Sequence, residues 1–222
     1  MKSVTALLIR KELYVNRWLV LGATVAGVLT VGIASFGKTA FNVGALGWLT
    51  AIIAHGVMLA IYGVMNERKE HTLQFVLSLP LSGGDYVRAK LAGLLICFVF
   101  PWLISSLGAL ALIAFDADIP DGMLPFTILL CVFMLANFSL VLSGTLHAMS
   151  EGVVTAVIVV TNMGVSLFMF TVGAMPEFQN HLGDPGPSWS ATFWTVLGIE
   201  SDVFLIAMTL PLLFAARRRD FL

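Results

Sequence analysis

Charge is scarce in this chain. Of its 222 residues only 11% are Asp, Glu, Lys or Arg, against ~25% in an ordinary soluble domain. A water-soluble fold of this size has too much surface to cover with so few charges. Soluble enzymes, disordered tails and nucleic-acid-binding modules are therefore excluded. Cysteine is scarcer still, with only Cys97 and Cys131. Both lie inside apolar runs, without CxxC spacing and without a neighbouring His or Asp. That excludes a disulfide framework and a cysteine-held metal centre, and leaves two small buried hydrophobes. HExxH and GxSxG patterns are missing, as is any His/Cys cluster at metal spacing, so no catalytic residue and no metal ligand is nominated.

What the chain has instead is apolar length. Hydrophobic residues make up 59% of it, and its mean hydropathy is +0.95. A bilayer core is crossed by ~20 consecutive apolar residues in a helix. Six segments meet or approach that length: Trp18–Phe36, Val43–Met65, Leu91–Phe115, Leu124–His147, Val153–Met175 and Ser201–Ala216. The last is the shortest, with Asp202 near its start and Pro211 inside it. Backbone groups cannot stay unpaired in lipid, so runs rich in Leu, Ala and Gly are read as helices. The expected fold class is all-α, a polytopic membrane protein with six transmembrane helices in a single domain over residues 1–222. The first run is about nineteen residues long, longer than the ~7–15 of a signal-peptide core, and Arg17 abuts it. It is read as a retained anchor.

The few charges are unevenly placed. With six spans, eleven of the twelve basic residues share one side: Lys2, Arg10, Lys11, Arg17, Arg68, Lys69, Arg88, Lys90 and Arg217 to Arg219. Lys38 alone falls opposite. The positive-inside rule then puts both termini in the cytoplasm, and a missed or extra helix would break the split. Acidic residues do not follow this pattern. Asp116, Asp118, Asp121, Glu177, Asp184, Glu200 and Asp202 fall outside or at the outer interface.

Two matches are decoys. Residues 32–39, Gly-Ile-Ala-Ser-Phe-Gly-Lys-Thr, fit the phosphate-loop pattern, but that motif works only between a strand and a helix of a soluble α/β domain. Here it closes a membrane helix. Ser35 and Lys38 likewise imitate an SxxK pair without supporting motifs.

Residues 66–90 hold seven charges in twenty-five positions. Leu73, Val76, Leu77 and Pro80 recur at i, i+3, i+4 and i+7, the spacing of a short amphipathic helix. Pro80 ends it, Gly83-Gly84 turns the chain, and Asp85 caps a helix into the third span. Such a hairpin can fit a groove on a partner and pass on its motion. It can equally lie on lipid headgroups.

Residues 67–90 also resemble a specific pattern, that of the type-2 permease family of ATP-binding-cassette (ABC) transporters. Glu67, Thr72, Leu73, Leu77, Leu79, Pro80, Ser82, Val87 and Lys90 stand at matching places without a gap. His71 departs from the family's usual glycine, and Gln74 stands where an acidic residue is common. The resemblance implies a coupling helix within 67–79 that docks on a separate cytoplasmic ABC ATPase, with Glu67, Glu70, Thr72, Leu73, Val76, Leu77 and Pro80 as the coupling residues. It implies an interfacial elbow helix over 1–17 and a second, smaller ATPase contact at the turn carrying His147 and Glu151. The stretch 176–199, with Trp189, Phe193 and Trp194, becomes an outer re-entrant gate together with Glu200 and Asp202. A bare aromatic belt reads the same way from composition. The implied assembly is two permeases, the second copy identical or a sister, and two ATPases in a prokaryotic inner membrane. This chain then binds no cofactor, ATP and Mg²⁺ residing in the partner. Export is the implied direction.

His55, Asn137 and Asn162 lie deep in spans two, four and five. Polar groups at that depth face the bundle or a water path, so they line a substrate pathway or tie helices together. Small-residue spacings at Gly22/Ala26 and Ala23/Gly27 let the first span pack closely, against its own bundle or a second permease. The rival functional readings are a self-sufficient ion- or proton-coupled carrier or channel, using His55 and the outer carboxylates, and a membrane enzyme.

Overall fold

The computed structural model describes residues 4–69, 83–148 and 150–217. Among the described residues the regular structure is helical, with no strand. A first helix, α1 (Val4–Val15), is followed by α2 (Arg17–Ala34) and α3 (Lys38–Ala60), which runs on through a π-helical turn (Ile61–Met65) into α4 (Asn66–Lys69). Then come α5 (Gly83–Phe115), α6 (Leu124–His147), α7 (Glu151–Gly173), α8 (Pro176–Gln179) and α9 (Ala191–Arg217). Among the described residues six helices are long and apolar enough to cross a bilayer, in the order the sequence predicts. Six crossings return the end of α9 to the side on which α2 begins.

Helices α3, α5 and α9 start at Lys38, Gly83 and Ala191, whereas the apolar runs start at Val43, Leu91 and Ser201. Hydropathy marks the part of a helix that lipid can cover; backbone bonding carries the helix further, into the interface. Ser190 shows how α9 gains its extra turns, its Oγ accepting from the Phe193 N–H at 3.1 Å as a helix cap does. Residues 191–199, expected within an outer loop, are the first turns of that helix. Gly83 and Gly84, expected to turn the chain, open α5 with Asp85 in its first turn.

The tight link between α2 and α3 depends on Gly37, whose φ of +104° suits a residue without Cβ. Below it the two helices close up at Gly44, where an added Cβ would lie 2.5 Å from the Thr30 carbonyl oxygen. On α2, Gly27 packs against Ser105 of α5 while Gly22 faces open space. The small-residue stripe thus meets its own bundle at Gly27.

Span four sits in the middle. In its most apolar stretch 61% of residues are buried, against 11% in span one. The core gathers around it from α3, α5 and α6, with Leu59, Leu94, Phe98, Leu129, Met134 and Leu142 at 2% exposure or less. The outer faces of α7 and α9 remain apolar and uncovered, as lipid-facing or partner-facing surfaces must be.

Candidate functional site: a buried charge cluster beneath α1

The strongest departure from an apolar interior lies where α1 meets the ends of α3 and α5. Lys90 is 2% exposed and Glu12 is 4% exposed, and Lys90 Nζ donates to Glu12 Oε1 at 2.7 Å. The same ammonium lies 2.8 Å from Glu67 Oε2. Lys11 bonds to Glu67 Oε1 and sits 3.4 Å from Glu12 Oε1, while the Tyr86 hydroxyl donates to Glu67 Oε2 at 3.1 Å. Two ammoniums thus face two carboxylates. Burying any of these charges alone would be costly, and pairing them with hydrogen bonds compensates for the lost water.

The local sequence explains how these groups converge. An added Cβ at Gly93 would lie 2.8 Å from Glu12 Cβ, so the glycine lets α1 lie directly on α5. Asn16, 4% exposed, returns its side-chain amide to the Glu12 carbonyl at 3.0 Å and marks the joint between α1 and α2. On the other side, the Asn66 N–H bonds the Ile61 carbonyl five residues back. A π turn takes up one extra residue and rotates the next helical turn by roughly 100°. Glu67, just beyond it, faces the two lysines.

The electrostatics come from the geometry. Burial pushes the Glu67 carboxyl up, but Lys90 and Lys11 outweigh burial and hold it below the ordinary 4.5. Burial lowers the Lys11 ammonium, and its bonds and proximity to Glu67 and Glu12 outweigh that, raising it above the ordinary 10.5. The cluster ties α1 to Glu67 before residues 70–82 and to Lys90 after them. Its four charges pair with one another across three helices, α1, α4 and α5.

A family model described as "ABC-2 family transporter protein" matches residues 7–199, a stretch holding all four charges of the cluster. The chain belongs to that family. It is therefore a multi-pass membrane permease of the ABC type, a class that associates with an ABC ATPase and is itself typically non-enzymatic. No curated protein and no solved structure matches it significantly.

The other sequence-nominated residues of this permease do not form one site. Glu67 belongs to the cluster; Glu70, Thr72, Leu73, Val76, Leu77 and Pro80 lie outside the described residues. His147 ends α6 with Nδ1 2.8 Å from the Ser143 carbonyl and its ring edge-on to Phe214. Glu151 opens α7 beside the capping Ser150. Phe193, 2% exposed, packs edge-on between Trp189 and Trp194 at 5.0 Å each. Asp202 is exposed, but Glu200 turns into the bundle, 5% exposed, and neither of its carboxyl oxygens has a hydrogen-bond partner among the described residues.

His55 is 2% exposed, with Nε2 3.1 Å from the Cys97 carbonyl of α5. Pro101 explains that bond: a proline has no N–H to give the carbonyl four residues back, and that carbonyl is Cys97. The Nε2–H tautomer supplies the missing donor. Asn137 Nδ2 points to Asn162 Oδ1 at 3.5 Å, and Asn162 itself bonds the Ile158 carbonyl at 2.7 Å. The space beside these two asparagines and Phe98 is about 10 Å³, at most water-sized. Sequence reading missed Glu12. Its signal was a lone acid among the basic residues of the N-terminal segment.

Proposed function

We propose that this permease is an exporter subunit in which the hairpin between spans two and three is gripped by a separate cytoplasmic ATPase. In this reading both termini face the cytoplasm of a prokaryotic cell, and two permeases, identical or sister, pair with two ATPases. The ATPases hold ATP and Mg²⁺, and this chain binds no cofactor. Docking falls to Glu70, Thr72, Leu73, Val76, Leu77 and Pro80, with His147 and Glu151 as a smaller contact. Export is what the resemblance of residues 67–90 implies.

The observation that supports this best is the Lys11–Glu12–Glu67–Lys90 cluster. A push delivered to a loose loop would be lost as loop motion. A loop whose flanking residues are ion-paired to each other and to α1 passes force to spans two and three together.

The test is reconstitution with the cognate ATPase in proteoliposomes. Leu73→Asp or Leu77→Asp should abolish co-purification of the ATPase and ATP-driven transport, leaving the folded permease intact. Gradient-driven flux from the permease alone, indifferent to ATP, would overturn the proposal in favour of a carrier or channel.

A further inference from the structure

At the end of the bundle opposite the charge cluster, a partly enclosed cavity of about 390 Å³ lies between α2, α3, α5 and α6. That is in the range of small-molecule sites, roughly 300–1,000 Å³. Its walls are aliphatic and aromatic, including Val31, Leu49, Ala109 and Phe126. Trp48 also lines it, 4% exposed, with an indole N–H that has no hydrogen-bond partner among the described residues. The cavity shares Ala34, Phe41, Asn42 and Met123 with a second one of about 270 Å³. The second is lined by Lys38, Asp116 and Asp118, at the level where α2 ends, α3 begins and α5 ends.

The chemistry of this pair is amphiphilic. Lys38 is exposed, with no ion-pair partner among the described residues, although two carboxylates line the same pocket. The Asp116 carboxylate accepts the Asp118 N–H at 3.0 Å. An apolar slot, bordered by a pocket whose lining includes one lysine and two aspartates, complements an acyl chain joined to a headgroup of both signs.

We infer that this double cavity binds one phospholipid with a primary-ammonium headgroup. An acyl chain fills the slot, the phosphate meets Lys38, and the ammonium meets Asp116 and Asp118. A purely anionic lipid is disfavoured because its headgroup would face the two carboxylates without a compensating ammonium. This inference does not depend on the ATPase reading.

The test is native mass spectrometry of the full-length, delipidated permease incubated with phosphatidylethanolamine or with phosphatidylglycerol. One phosphatidylethanolamine should be retained, at least tenfold more tightly than phosphatidylglycerol. Lys38→Glu, at an exposed position, should lower that retention at least tenfold, and so should Ala109→Phe, which fills the slot. Should Ala109→Phe fail to fold, Ala45→Leu narrows the same cavity. Equal retention of the two lipids, or retention unchanged by Lys38→Glu, overturns the inference. So does undiminished binding after slot filling, because it would leave the headgroup on the rim without a chain inside.

Discussion

Lys90 Nζ lies 2.7 Å from Glu12 Oε1 across 78 positions of sequence, with both side chains nearly sealed from solvent. The pair fastens a surface helix to the start of span three. Removing Glu12 leaves Lys90 with Glu67 as its remaining carboxylate, so Glu12→Ala should cost about 1.5–3 kcal/mol, the loss of one charge-assisted hydrogen bond rather than of a whole buried pair. The double variant Glu12→Leu/Lys90→Met, which replaces the pair by apolar volume, should recover most of that loss. Denaturant unfolding in mixed micelles measures both. A double variant no more stable than Glu12→Ala would mean that the pair is not energetically coupled.

The cluster also sets a pH dependence. Glu67 titrates below its ordinary 4.5 in the folded protein, so its contribution is complete above that ordinary value. That contribution fades as pH falls through the lower folded value. Lys11 is raised, so its contribution is complete below the unfolded lysine value and fades as pH climbs through the folded one. Thermal stability should therefore fall at the acid limb, and Glu67→Gln should flatten that limb while lowering the plateau. An acid limb unchanged in Glu67→Gln would assign it to other carboxylates.

The six spans were legible because a membrane helix is specified by composition over ~20 residues, a signal that survives without any tertiary information. Helix ends were less so: Lys38, Gly83 and Ala191 start helices outside the apolar windows, where capping rather than hydropathy decides. Ser190 carried that signal in plain view. Glu12 was illegible for another reason. Its partner lies on a different helix, and only the close approach at Gly93 and the π turn before Glu67 bring the charges together. His55 was readable as a deep polar residue, but its partner emerges only once span two is laid beside Pro101.

That last relationship is testable by rescue. Without the imidazole the Cys97 carbonyl is buried with no donor, so His55→Ala should destabilise the bundle by about 1–3 kcal/mol, beyond any loss of packing against Phe98. Pro101→Ala restores the backbone N–H four residues on, so His55→Ala should cost distinctly less in a Pro101→Ala background. Unfolding of the four combinations gives the coupling directly. Additive losses would show that the proline and the imidazole do not share that carbonyl.

Glu200 presents the opposite case, a carboxyl turned into the bundle with neither oxygen partnered among the described residues. An unsatisfied buried polar group costs about 1–3 kcal/mol, so Glu200→Leu should raise the stability of the solubilised permease by a similar amount. An ionisable residue held within a membrane bundle faces its interior or a water path rather than lipid, which is where a transport route runs. Reconstituted with its ATPase, Glu200→Leu should therefore transport more slowly while unfolding later. A variant that unfolds earlier than the parent protein would instead assign Glu200 a structural bond within the bundle.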